Sequence, residues 1–168
     1  MFGPWEPFYQ MTGEVAATLI GLLFIVITLT SSRPSSGVTS GMRLFTTPTL
    51  FHLVSVLVIS ALALAPDGDD GIRAAAMLVW ALLGLIYAIG RFVGLRGIAE
   101  PTHWSDSWYY GVAPSVVYLA LAAAASLALA GFPHAVSFVA ICLMALLLVI
   151  IRNAWDLVTW LAPRRDSH

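Results

Sequence analysis

The chain has 168 residues, 60% of them hydrophobic and only 10% charged, against roughly 25% charged in soluble domains. Its formal net charge is -1, which argues against a nucleic-acid binder, since such a protein presents a basic patch. Long apolar runs at this size describe an all-α, polytopic integral membrane protein with no room for a soluble catalytic domain beside its spans.

Residues 1–10 hold Phe2, Trp5, Phe8 and Tyr9, interrupted by Pro4 and Pro7. The prolines argue against a long helix and the aromatics favour the bilayer interface, so the expectation is an interfacial lead-in with Glu6 towards water. The first span follows at about 11–30. It lacks a basic leader and a small-x-small cleavage site, so a retained helix is expected rather than a cleaved signal peptide. Steps of four and three residues from Glu14 reach Thr18, Gly21, Ile25, Thr28 and Ser32, all on one helical face. Lipid has no use for such a polar stripe, so it is expected to face protein or water. One reading is a pore lining in which Glu14 selects cations and Ile25 is a dry constriction. The other is a packing seam, because Gly13, Ala17 and Gly21 form a small-x3-small run.

Residues 31–46 read as a polar loop carrying Arg33 and Arg43. The second span covers about 47–65, with Pro48 in its first turn and His52 and Ser55 on one face. His52 is a candidate proton sensor, with an unperturbed pKa of about 6.5; the competing reading is a neutral histidine hydrogen-bonded between helices. Residues 66–71 form an acidic turn with Asp67, Asp69 and Asp70. It is read as a solvated turn, because it lacks the glutamate that completes a calcium loop.

The third span, about 72–95, carries small residues at Ala81, Gly84, Ala88, Gly90 and Gly94, which let helices approach closely. Arg91 and Arg96 mark its far end. In the loop over 97–111, Trp104, Trp108, Tyr109 and Tyr110 read as an interfacial belt. Glu100, His103 and Asp106 have the spacing of metal ligands but lack a fourth, and no metal site is assigned. The fourth span, about 112–130, is alanine-rich, and a short turn at 131–134 leads to the fifth, about 135–161. That span is apolar as far as Ile151, after which Arg152 and Asp156 are placed to pair at i,i+4. Pro163 ends the helix, and Arg164 and Arg165 follow. Cys142 is the sole cysteine, so no intrachain disulfide is expected and a packed thiol is.

Residues 1–168 thus form a single membrane domain. With five spans, Arg33, Arg43, Arg91, Arg96, Arg152, Arg164 and Arg165 fall on one side and Arg73 alone on the other. The positive-inside rule then places the amino terminus outside and the carboxyl terminus in the cytoplasm. Every basic side chain of the Lys/Arg class is Arg, and Ala, Leu and Gly abound, as in a GC-rich bacterial gene; the expected location is a bacterial plasma membrane. No hydrolase, metalloprotease, nucleotide or dinucleotide motif is present, so no enzyme activity and no cofactor are expected. The leading functional expectation is a homo-oligomeric, cation-preferring ion channel, its partners being the lipid bilayer, further copies of itself and an inorganic cation. A non-conducting scaffold for another membrane protein is the alternative. A small proton-coupled carrier using Glu14 and His52 ranks third, because neither inverted repeats nor broken helices are evident.

Overall fold

The structure is a computed structural model and describes residues 1–31, 38–66, 69–96 and 108–161. Ser32, Arg33, Asp67, Glu100, His103, Trp104, Asp106, Arg164 and Arg165 lie outside the described residues. A 3₁₀ turn at Gly3–Trp5 leads into α1 (Glu6–Ser31), followed by α2 (Val38–Leu64) and α3 (Asp70–Arg96). A π-helical turn at Trp108–Val112 opens α4 (Ala113–Leu129), and α5 is Ala135–Leu161. No strand occurs among the described residues. Among the described residues, five helices are long and apolar enough to cross a membrane.

Successive helices run up and down. α1 packs on α2, α2 on α5 and more briefly on α3, α3 along α4, and α4 along α5. α2 and α5 form the centre: half of the apolar window of each is buried, against 17% for α1. Tyr9, Leu53, Ile59, Tyr118, Leu143 and Leu146 are buried in one core cluster that draws on α1, α2, α4 and α5.

The α3–α4 contact rests on small residues. Ala81, Gly84 and Ala88 are buried on α3 and face buried alanines of α4, including Ala122 and Ala125. A Cβ on Gly84 would stand 2.3 Å from Cε1 of Tyr118, so glycine there is what admits the tyrosine ring. Gly111 does the same for Phe92, whose Cδ2 would lie 2.6 Å from an added Cβ. Gly90 and Gly94, by contrast, face open space.

The turn between α4 and α5 shows how local sequence ends a helix. Gly131 has φ +78°, a conformation open to glycine without a Cβ penalty. The N–H of Gly131 donates to the Ala128 carbonyl (3.0 Å) and that of Phe132 to Leu127 (2.9 Å). These two bonds form a Schellman motif, and Pro133 then bars continuation of the helix.

Four expectations are corrected. The aromatic lead-in is helical from Gly3 onward, because Pro4 and Pro7 occupy first-turn positions where a missing N–H costs nothing. Its Phe2 and Tyr9 enter the core rather than an interface. The polar segment is already helical from Val38, which places Pro48 inside α2 instead of in its first turn; packing against neighbouring helices makes such a proline tolerable. Trp108, Tyr109 and Tyr110 belong to the π turn, and Tyr110 is buried with its hydroxyl donating to the Asn153 carbonyl at 3.1 Å.

Candidate functional site

His52 lies near the middle of α2 and is 1% exposed. Its Nδ1 is 2.9 Å from Tyr118 Oη on α4. The directions of the bonds around it follow by elimination. Ser55 Oγ donates to the Phe51 carbonyl at 2.9 Å, since a carbonyl only accepts. Ser55 therefore accepts from Tyr118 Oη at 2.8 Å. With its one proton used, the tyrosine oxygen accepts from His52, so Nδ1 carries the hydrogen. A chain of three bonds thus ties α4 to α2 and ends on a carbonyl of the α2 backbone.

Aromatic rings surround this chain. Phe51 stacks on Tyr87 of α3 at 4.0 Å between centroids, and Trp80 lies 6.5 Å from Phe51 and nearly parallel to it. Trp80 Nε1 and Tyr87 Oη are buried without a hydrogen-bond partner among the described residues. The shared face of His52 and Ser55, read from their spacing, is confirmed. Tyr118 was missed, although a lone tyrosine in an alanine-rich span carries its own signal: its hydroxyl must find a partner inside the bundle.

A second polar junction joins α1 to α2 towards the Met1 end. Thr12 Oγ1 donates to the Tyr9 carbonyl at 3.1 Å, so Ser60 Oγ is the donor in their 2.9 Å contact. Tyr9 Oη donates to the Val136 carbonyl of α5 at 3.2 Å. A Cβ on Gly13 would meet Ser60 Cβ at 3.3 Å. Of the small-residue run, only Gly13 thus serves this contact; Ala17 and Gly21 are exposed.

The stripe of α1 lies elsewhere. Tyr9, Thr12, Ala16 and Leu23 face the core. Glu14, Thr18, Gly21, Ile25 and Thr28 are all exposed, on the face of the helix turned away from the protomer. Gln10 extends the stripe, its Nε2 donating to Glu14 Oε1 at 3.2 Å. The hydroxyls of Thr18 and Thr28 donate to the carbonyls of Glu14 and Phe24 in their own helix, each at 2.8 Å. Glu14 and His52 are not brought together, since one faces outward from α1 and the other faces α4.

The two ends of the bundle differ in charge. At the Met1 end, Asp69 Oδ1 accepts from the Gly71 N–H at 2.6 Å and Asp70 pairs with Arg73 at 3.3 Å. Arg73 also donates to the Ala65 carbonyl. At the opposite end Arg152 pairs with Asp156, as its spacing implied, and its guanidinium lies 5.1 Å from the Tyr109 ring centre. Asn153 is fully buried, donating to the Tyr109 carbonyl at 3.3 Å. The described residues contain no cluster of three or more metal-ligating side chains. No protein-family model, curated protein or solved structure matches this chain.

Proposed function

We propose that this chain is a multi-pass protein of the bacterial plasma membrane that assembles with copies of itself and conducts inorganic cations along an axis lined by α1. One observation carries the reading: Glu14, Thr18, Gly21, Ile25 and Thr28 are exposed on the face of α1 opposite the protomer's own core. An ionised side chain facing hydrocarbon is costly, up to about 2.5–3.5 kcal/mol at the centre of a span on insertion scales, so this face calls for protein or water. Glu14 lies about 12 Å along the helix from Glu6 at about 1.5 Å per residue. Copies arranged around an axis would bring their Glu14 carboxylates into a ring that attracts cations, with Ile25 as a dry constriction below. Ser32, the last position of the stripe in the sequence, lies outside the described residues. In the proposed orientation the amino terminus is outside. Arg73 then lies at the outer end and Arg91, Arg96 and Arg152 at the inner end. The reading involves neither enzyme chemistry nor a cofactor.

A dry scaffold is the second reading, and one observation favours it. The hydroxyls of Thr18 and Thr28 are satisfied within α1, so their face does not require water and can equally meet another membrane protein. A carrier gains less support, because its two titratable groups face different surroundings.

Flux through liposomes containing the purified protein separates the readings. Glu14→Gln should lower cation preference or block permeation, and Ile25→Ser should raise leak by wetting the constriction. Ile86→Ala, on the exposed face of α3, serves as the control. Wild-type liposomes no leakier than empty ones would leave the scaffold. His52 enters as the candidate proton sensor: any change of flux on acidification that it carries should be flattened by His52→Gln.

A further inference from the structure

At the Met1 end, the start of α1, the end of α2 and the start of α3 border an open cleft of about 340 Å³. Phe2 and Glu6 line it on one side, Leu64 and Pro66 on the second and Arg73 on the third. Glu6 is exposed, and its carboxylate has no hydrogen-bond or ion-pair partner among the described residues. Arg73 is held by Asp70 and by the Ala65 carbonyl. A guanidinium has five N–H donors, and these contacts use two of them. The Arg73 Nε is buried with no partner among the described residues. Glu6 and Arg73 therefore border one cleft with opposite charges and do not pair with each other.

Charge selects the occupant. A group that satisfies both walls carries an ammonium for Glu6 and, a short distance away, an anionic oxygen for Arg73. A primary ammonium donates charge-assisted hydrogen bonds to a carboxylate, whereas a quaternary one has no N–H to donate. Two sources supply such a zwitterion, a dissolved solute and a lipid headgroup. Two partly exposed ion pairs together give a gain of at most about thirtyfold. A solute bound at millimolar concentration needs about a thousandfold. A headgroup that the bilayer already holds at the same depth needs far less. Trp5, beside Glu6 in the chain, and Arg73 are residue types that collect at that depth.

We propose that this cleft binds the phosphoethanolamine headgroup of a bilayer phospholipid, with its ammonium on Glu6 and its phosphate on Arg73. Phosphatidylcholine carries the same phosphate but offers Glu6 no N–H donor. Phosphatidylglycerol carries no cation, and its net negative charge is repelled by Glu6. The cleft thus discriminates among headgroups through Glu6, while Arg73 holds the part they share. The inference rests on the membrane reading alone, and it holds whether α1 lines a pore or a packing seam.

The test reconstitutes the protein in vesicles of phosphatidylethanolamine, phosphatidylcholine and phosphatidylglycerol in equal amounts with matched acyl chains. The protein is then released into mild detergent, and the lipid it retains is identified by native mass spectrometry. The wild type should favour phosphatidylethanolamine over each of the others by about fivefold, the factor that one partly exposed ion pair supplies. Glu6→Gln should erase that preference. Glu6→Lys should turn it towards phosphatidylglycerol, a gain of selectivity that a misfolded variant would not show. Phe132→Ala, exposed at the same end but outside the cleft, should leave the preference unchanged. Millimolar glycerophosphoethanolamine, the same headgroup without acyl chains, should not displace the lipid. Equal retention of the three lipids by the wild type, an unchanged preference in both Glu6 variants, or displacement by the soluble headgroup would each overturn the proposal. Release of the protein from membranes by alkaline carbonate would instead defeat the membrane reading.

Discussion

Gly84 and Gly90 are the same residue on the same helix, yet they answer to different physics. A methyl group at Gly84 would collide with the Tyr118 ring at 2.3 Å, and overpacking of this kind costs roughly 1–3 kcal/mol. Gly84→Ala should therefore lower the unfolding temperature in detergent. At Gly90 nothing lies within 4 Å, and removing helix-interior glycine contributes about 0.5–1 kcal/mol, so Gly90→Ala should raise it. Equal shifts in the two variants would contradict the tight α3–α4 approach. The tyrosine that Gly84 admits also fixes the histidine. Nitrogen NMR should find His52 protonated at Nδ1, and a tautomer protonated only at Nε2 would break the assigned chain of donors. A double-mutant cycle of His52→Gln and Tyr118→Phe should give a coupling of about 0.6–1.7 kcal/mol, the range for side-chain hydrogen bonds inside membrane proteins.

At the scale of an element, α1 separates the two roles that small residues play. Gly13 meets Ser60, whereas Gly21 meets nothing in the protomer. Gly21→Phe should leave protomer stability within about 0.5 kcal/mol, as for a surface substitution, while reducing the mass of the assembly in a lipid nanodisc. An intact oligomer in that variant would remove α1 from the interface, and a wild type that is monomeric in lipid would remove the assembly altogether. The same helix shows why proline misleads. Pro4 and Pro7 look like breakers in the string of residues, but at the start of a helix they supply the required φ and lack only an N–H that had no partner. Pro48 is the converse case, lying in the interior of α2, where its missing bond is tolerated because tertiary packing holds the helix on both sides.

For the whole molecule, the distribution of arginine gives the orientation its test. With Cys142 replaced by Ala, a cysteine introduced by Asp69→Cys should react with an impermeant reagent on intact cells, and one introduced by Ser35→Cys should react only after the membrane is opened. The reverse pattern would invert the protein and, in the proposed channel, place Glu14 at the cytoplasmic end.

Helix number, the turn at Gly131 and the Arg152–Asp156 pair were all readable from the residues alone. Each depends on neighbours in the chain: the length of an apolar run, a glycine able to reach positive φ, an i,i+4 spacing. His52 and Ser55 could be placed on one face for the same reason. What the string of residues could not supply was direction around each helix. In a soluble helix the polar face marks the outside, but here the buried and the exposed faces are both apolar, so Leu53 in the core and Leu83 facing outward look alike in sequence. Only the packing of five helices decided that Phe2 and Tyr9 turn inward, that Tyr118 rather than a carboxylate meets His52, and that the stripe beginning at Glu14 looks away from its own protomer. Those choices depend on shape fitting between residues far apart in the chain, such as the ring of Tyr118 in the space left by Gly84.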